Sequence, residues 1–134
     1  MTKHLRDTFA KDNLPPPEQF PEFRNLAELE YPEKLNCAKI FLDDAVAEGY
    51  GERQVIITPQ EEYTYERLQK DANQLAHVLV DDCGLIPGNR VLLRAPNSYM
   101  MAACWFAVVK AGGIAVSTMP LFRAKELGVM IEKA

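Results

Sequence analysis

The side chains of this 134-residue chain that could do chemistry are few and widely spaced. His4 and His77 are the two histidines, and His77, set between Ala76 and Val78, reads as a packing or surface residue with no partner one helical turn away. Glu61-Glu62 and Asp81-Asp82 are adjacent acidic pairs. Sequence neighbours do not face each other on a helix, so solvated turns and helix ends explain them better than acid–base catalysis. Ser98 and Ser117 have no histidine nearby and do not read as nucleophiles. Asn97-Ser98 follows a strand and could aim amides at an anion, but helix capping accounts for the pair without a ligand. Arg123 and Lys125 could meet a phosphate as point charges, against the default of a solvated helix face. The three cysteines form no CxxC pair, and Cys37 and Cys104 read as small buried hydrophobes in a reduced protein. Neither GxxxxGK[ST] nor GxGxxG occurs. Gly112-Gly113 follows a helix instead of opening one, which makes it a helix stop and not a phosphate cradle.

Positioning these residues falls to a series of short elements. Residues 1–35 form an extended Pro-rich leader, with Pro15, Pro16 and Pro17 consecutive, whose Phe9, Leu14, Phe20, Phe23, Leu26 and Leu29 are expected to dock on a larger body. Asn36 caps a helix with an apolar stripe of Ile40, Phe41, Ala45 and Val46, stopped by Gly49 and Gly51. Gln54–Thr58 is a β-branched strand that returns through Glu62–Thr64 as a hairpin. Thr64 caps a helix whose apolar face is Tyr65, Leu68, Ala72, Leu75, Ala76 and Leu79, with Arg67, Lys70, Asp71 and Gln74 off it. Strand Arg90–Ala95, helix Tyr99–Ala111, strand Ile114–Val116, loop Thr118–Phe122 and a helix from Arg123 to Lys133 complete the order. The middle helix is apolar nearly all round and should be buried on most sides. A strand, a crossover helix and a strand imply a parallel pair. The class is α/β: a partial layered subdomain with a short parallel sheet flanked by helices, plus a β-hairpin.

Composition narrows the function. With 15 Lys+Arg against 19 Asp+Glu the net charge is −4, which argues against a nucleic-acid partner. The longest uncharged run, Ala95–Val109, is too short for a membrane span, and a cytoplasmic location is expected.

Three segments resemble one family, the AMP-forming acyl- and aryl-CoA synthetases. Thr64-Tyr65-Glu66-Arg67-Leu68 is similar to that family's T-Y-x-x-L. Gly84-Leu85-Ile86-Pro87-Gly88-Asn89-Arg90-Val91 is similar to its G-[hydrophobic]-x-P-G-D-x-V, with Asn89 in place of the usual Asp. Pro96-Asn97-Ser98 with Lys110-Ala111-Gly112-Gly113 resembles its P-N-S … K-A-G-[G/A]. The narrower resemblance is to benzoate- and 2-aminobenzoate-CoA ligases, through Asn13-Leu14-Pro15-Pro16, Tyr31-Pro32-Glu33-Lys34-Leu35-Asn36, Gly88-Asn89-Arg90-Val91-Leu92-Leu93-Arg94, and Ala102-Ala103-Cys104-Trp105. Ser117 stands where that family often has proline.

The resemblance implies that residues 36–134 are the first part of an N-terminal AMP-binding domain. The full-length enzyme would use ATP, Mg2+ and CoA to convert an aromatic acid to its CoA thioester through an acyl-adenylate. The family's phosphate loop and catalytic lysine have no match in these residues, so no catalytic residue is expected here. No cofactor is expected to bind this chain tightly, and its partner would be the remainder of the ligase chain. Arg123 is the one site residue implied, as a contact to the CoA nucleotide. A different reading is a stand-alone α/β binding or regulatory module derived from the same fold. Apolar surface left open would favour self-association.

Overall fold

Local capping chemistry sets most element boundaries in the structure, a computed structural model that describes residues 6–22 and 32–134. His4, Phe23, Leu26, Leu29 and Tyr31 lie outside the described residues. Helix α1 is the single turn Phe9–Asp12. The Asn36 Oδ1 accepts from the Ala38 and Lys39 amides at 3.0 and 3.3 Å, as its capping role requires. The helical segment that follows is wound as π-helix over Lys39–Asp44 and Val46–Tyr50 and breaks at Gly49, whose φ is 92°. Strands β1 (Gln54–Ile57) and β2 (Glu62–Thr64) form an antiparallel hairpin. Thr64 caps helix α2 (Tyr65–His77) by accepting from the Arg67 amide at 3.2 Å. A π-helical turn, Val78–Asp82, extends α2. Strand β3 (Arg90–Arg94), helix α3 (Tyr99–Lys110), strand β4 (Ile114–Thr118) and helix α4 (Ala124–Lys133) follow.

The strands β3 and β4 pair in parallel, Arg90 opposite Ile114 through Arg94 opposite Thr118, so the class expected from the sequence holds. Helix α3 ends in a Schellman motif: the Gly113 amide donates to Val108 O at 2.8 Å and the Gly112 amide to Val109 O at 3.0 Å. Gly112 has a φ of 79°, open to glycine at no steric cost. The glycine pair is therefore a helix stop, as its position in the sequence indicates.

The core joins Leu42, Leu68, Ala72, Tyr99 and Ala103, with Val55, Ile56 and Phe106 packed against it. Alanines at 72 and 103 allow α2 and α3 to approach closely. A bulge between Gln54 and Ile56 lets the successive side chains Val55 and Ile56 both reach this core, which strict alternation would forbid.

Four expectations change. The stripe on the first helix is Ala38 and Leu42, both fully buried, whereas Ile40 and Phe41 are exposed. Ala38 and Leu42 stand four residues apart on one side of the segment, and Leu42 enters the core from it. Helix α3 buries Tyr99, Ala103, Ala107 and Val108, a single stripe, and leaves Met100 half exposed. Met101, Ala102, Trp105 and Val109 are only partly covered by the described elements. Strand β4 runs two residues further than expected, taking in Ser117 and Thr118, because Thr118 sits opposite Arg94 and donates from its hydroxyl to Leu93 O at 3.3 Å. Strand β3 stops at Arg94, one residue short of the expected Ala95, and Leu14 and Phe20 are exposed in this chain.

Candidate functional site

The carboxyl ends of parallel strands are where α/β proteins place ligands. Here β3 ends at Arg94 and turns through Ala95–Ser98 into α3, beside the end of β4. The β1–β2 turn stands opposite. Between them lies an open cleft of about 510 Å3. Its apolar wall is Ile57, Met101 and Trp105, and its polar wall is Asn97, Ser98 and Ser117. The described lining contains no histidine, lysine, arginine or carboxylate. Such a surface can hold an apolar or aromatic group and offer it hydroxyl or amide contacts. It supplies no acid, base or counter-charge for a reaction.

The hydroxyls around the cleft are also engaged in structure. Ser98 Oγ accepts from the Met101 amide at 3.2 Å, so the cap reading of Asn97-Ser98 holds and one amide of the helix N-terminus is occupied. Thr58 donates to Glu61 O at 2.8 Å and closes the hairpin turn.

Below the cleft, Tyr63 and Tyr99 stack with ring centroids 3.7 Å apart and planes within 8°. The Tyr99 hydroxyl donates to Asp71 Oδ2 at 2.7 Å, and Arg67 Nε donates to the same oxygen at 2.8 Å. Burial, with the bond to Asp71, pushes the Tyr99 phenol well above its ordinary pKa. Burial also works against the charge on Asp71, but the bonds from Arg67 and Tyr99 outweigh it and hold the carboxyl below the usual range. Asp71, placed off the helix face by the sequence pattern, thus ties α2 to α3.

Arg123 lies outside the cleft. It is exposed and precedes α4, where its amide donates to Glu126 Oε2 at 3.0 Å. The loop leading to it is held by Arg94, whose Nη2 donates to Pro120 O and Phe122 O at 2.5 and 2.8 Å. Lys110 does not reach the cleft either. It pairs with Asp43, which also accepts from Gln69 Nε2 at 2.8 Å, and so fastens the first helix to α3. His77 does have a partner one turn away, since its Nδ1 is 3.6 Å from Asp81 Oδ2, in an exposed pair. Cys37 and Cys104 are half-buried and Cys83 is exposed. Among the described residues no group of three or more His, Cys, Asp or Glu is placed to hold a metal.

Sequence reading missed one constellation. Asp7 Oδ1 accepts from the Phe9 amide at 2.9 Å, while its Oδ2 accepts from Asn89 Nδ2 at 2.9 Å and from Arg90 Nη1. The Asp7 amide donates to Pro87 O at 2.8 Å. Its only signal in the sequence was Asn89, the departure from the expected aspartate.

Comparison with known proteins follows the same lines. Residues 43–134 match the family model described as "AMP-binding enzyme". A salicyl-AMP ligase / salicyl-S-ArCP synthetase of Mycobacterium tuberculosis is 42% identical over 65 residues, covering 48% of this chain and 11% of that protein. A salicylyl-CoA synthase / salicylate adenylyltransferase of a Streptomyces species is 35% identical over 81 residues, covering 60% of this chain and 14% of that protein. The crystal structure of the anthranilate CoA ligase AuaEII in complex with anthranoyl-AMP superposes with a TM-score of 0.69 at 26% identity, over 75% of this chain and 19% of that one. The chain thus spans less than a fifth of the length of each of these proteins.

Proposed function

Because the chain belongs to the AMP-binding enzyme family, we propose that it is the opening segment of an acid–thiol ligase that acts on an aromatic carboxylate. In that enzyme the carboxylate attacks the α-phosphate of ATP and expels pyrophosphate. The CoA thiol, losing its proton, then attacks the acyl carbon and expels AMP. Residues 1–35 are its leader and residues 36–134 the first part of its AMP-binding domain. This segment supplies scaffold, one wall of a layered subdomain. The remainder of the ligase chain supplies the groups that hold ATP, the Mg2+ that neutralises its phosphates, and the reacting atoms. The aromatic class is supported by the relatives that act on salicylate and anthranilate, as their names state. Arg123, exposed before α4, is assigned to the CoA nucleotide.

The observation that carries the scaffold reading is uncovered surface. Among the described residues the chain leaves large apolar side chains open to solvent. Its exposed apolar side chains include Phe41, Ile57, Leu121 and Ile131, each more than 60% exposed. A stand-alone module would cover them.

The test is a segment exchange. Residues 36–134 replace the equivalent segment of the anthranilate CoA ligase, and acid-dependent ATP–pyrophosphate exchange is measured. Retained exchange in the chimera, with none from the 134-residue chain alone, is the expected result. Exchange by the isolated chain, or a folded chimera without exchange, overturns the scaffold reading. Benzoate, 2-aminobenzoate, salicylate and a long-chain fatty acid, offered to the full-length ligase, test the acid class.

A further inference from the structure

Asp7 lies far from the sheet in sequence and against it in space. Its side chain collects three donors: the Phe9 amide, Asn89 Nδ2 and Arg90 Nη1. Arg90 reaches further. Its guanidinium sits 4.5 Å from the centroid of the Phe9 ring, and its Nε donates to Ala134 O at 2.8 Å. The backbone fits equally closely. A Cβ built on Gly88 would lie 2.0 Å from Asp7 O, and the Gly88 φ of 94° is itself unfavourable for other residues. Glycine at 88 therefore makes room for the leader. Asn89 is matched on both sides, its Oδ1 accepting from the Ile86 amide at 3.1 Å while its Nδ2 donates to Asp7. A carboxylate at position 89 would keep the first bond, lose the second and set two negative charges together.

We propose that Asp7 and Phe9 form a clasp that fastens the leader to the Pro87–Arg90 turn and, through Arg90, to the end of α4, and that Asn89 is the residue that selects an acidic partner at position 7. This goes beyond the ligase reading and does not depend on it. Leader and turn form one coupled unit: position 89 must donate where position 7 accepts.

The experiment uses the full 134-residue chain and limited chymotrypsin digestion, following cleavage after Phe9 as a report of clasp opening. Cleavage within α3, after Trp105 or Phe106, reports opening of the core. N89D is expected to speed cleavage after Phe9 about tenfold, the factor that loss of one charge-assisted hydrogen bond gives, with cleavage in α3 unchanged. In the double variant D7A/N89D the two changes act on the same contact, so the rate is expected to stay within about threefold of D7A alone. D7A, which leaves the turn untouched, is expected to open the clasp as N89D does and stands in for it should N89D not fold. Unchanged cleavage after Phe9 in N89D or D7A overturns the proposal. So does a double variant whose acceleration is the product of the two single effects, or acceleration in α3 that matches acceleration at Phe9.

Discussion

Asp71 and Tyr99 show how much one pair of side chains carries. Tyr99 places its ring in the core and its hydroxyl on a carboxylate that also serves Arg67. Tyr99→Phe keeps the ring stack and removes that bond. It should lower stability by about 1–3 kcal/mol, the cost of losing a hydrogen bond to a charged acceptor, read as a shifted urea midpoint at unchanged slope. The pH dependence has a definite sign. The native pKa of Asp71 is depressed, so its contribution is complete above the unfolded carboxylate value of about 3.9. It is lost as pH falls through the native value. The stability gap between the parent and Asp71→Asn should therefore close on acidification. A gap that is constant with pH would mean the carboxylate charge is not what matters. Arg123 belongs to this scale too: in the full-length ligase, Arg123→Ala should raise KM for CoA about threefold or more, the effect of losing a point charge near a phosphate, with KM for the acid as the comparison. Equal KM values for CoA would remove the assignment.

Among elements, α2 and α3 are the pair on which the rest is built. Leu68 is fully buried between them, and Leu68→Ala should cost about 2–5 kcal/mol through lost transfer energy and the cavity left behind. Thr64→Ala removes only the cap and should cost about 1 kcal/mol. If the two variants unfold at the same urea concentration, the α2–α3 contact is not the centre of the core. Caps, turns and strand pairing at this scale could be read from sequence: Asn36, Thr64 and Ser98 act on amides two or three residues away. The π-winding of the first helix could not. Contact there falls on Ala38 and Leu42 and not on Ile40 and Phe41, and that choice depends on what α2 and α3 present to the segment.

For the molecule as a whole, the deciding quantity is apolar surface without a cover. At micromolar to millimolar concentration the isolated chain should self-associate, seen by light scattering as a mass above 15.1 kDa. Ile131→Lys with Leu121→Lys should move it toward monomer, and a parent that stays monomeric throughout would contradict the scaffold reading. No described helix is long and apolar enough to cross a membrane. Sequence alone determined the α/β class, the hairpin, the parallel pair, the helix stops and the family resemblance, because each rests on chemistry within a few residues or on a matched motif. Only the tertiary structure brought Asp7 to Asn89 and Arg90, set Asp71 between two helices, and kept charged groups out of the cleft lining. Those contacts join residues up to 83 positions apart, and which of them form is settled by how whole elements pack, information that no local pattern carries.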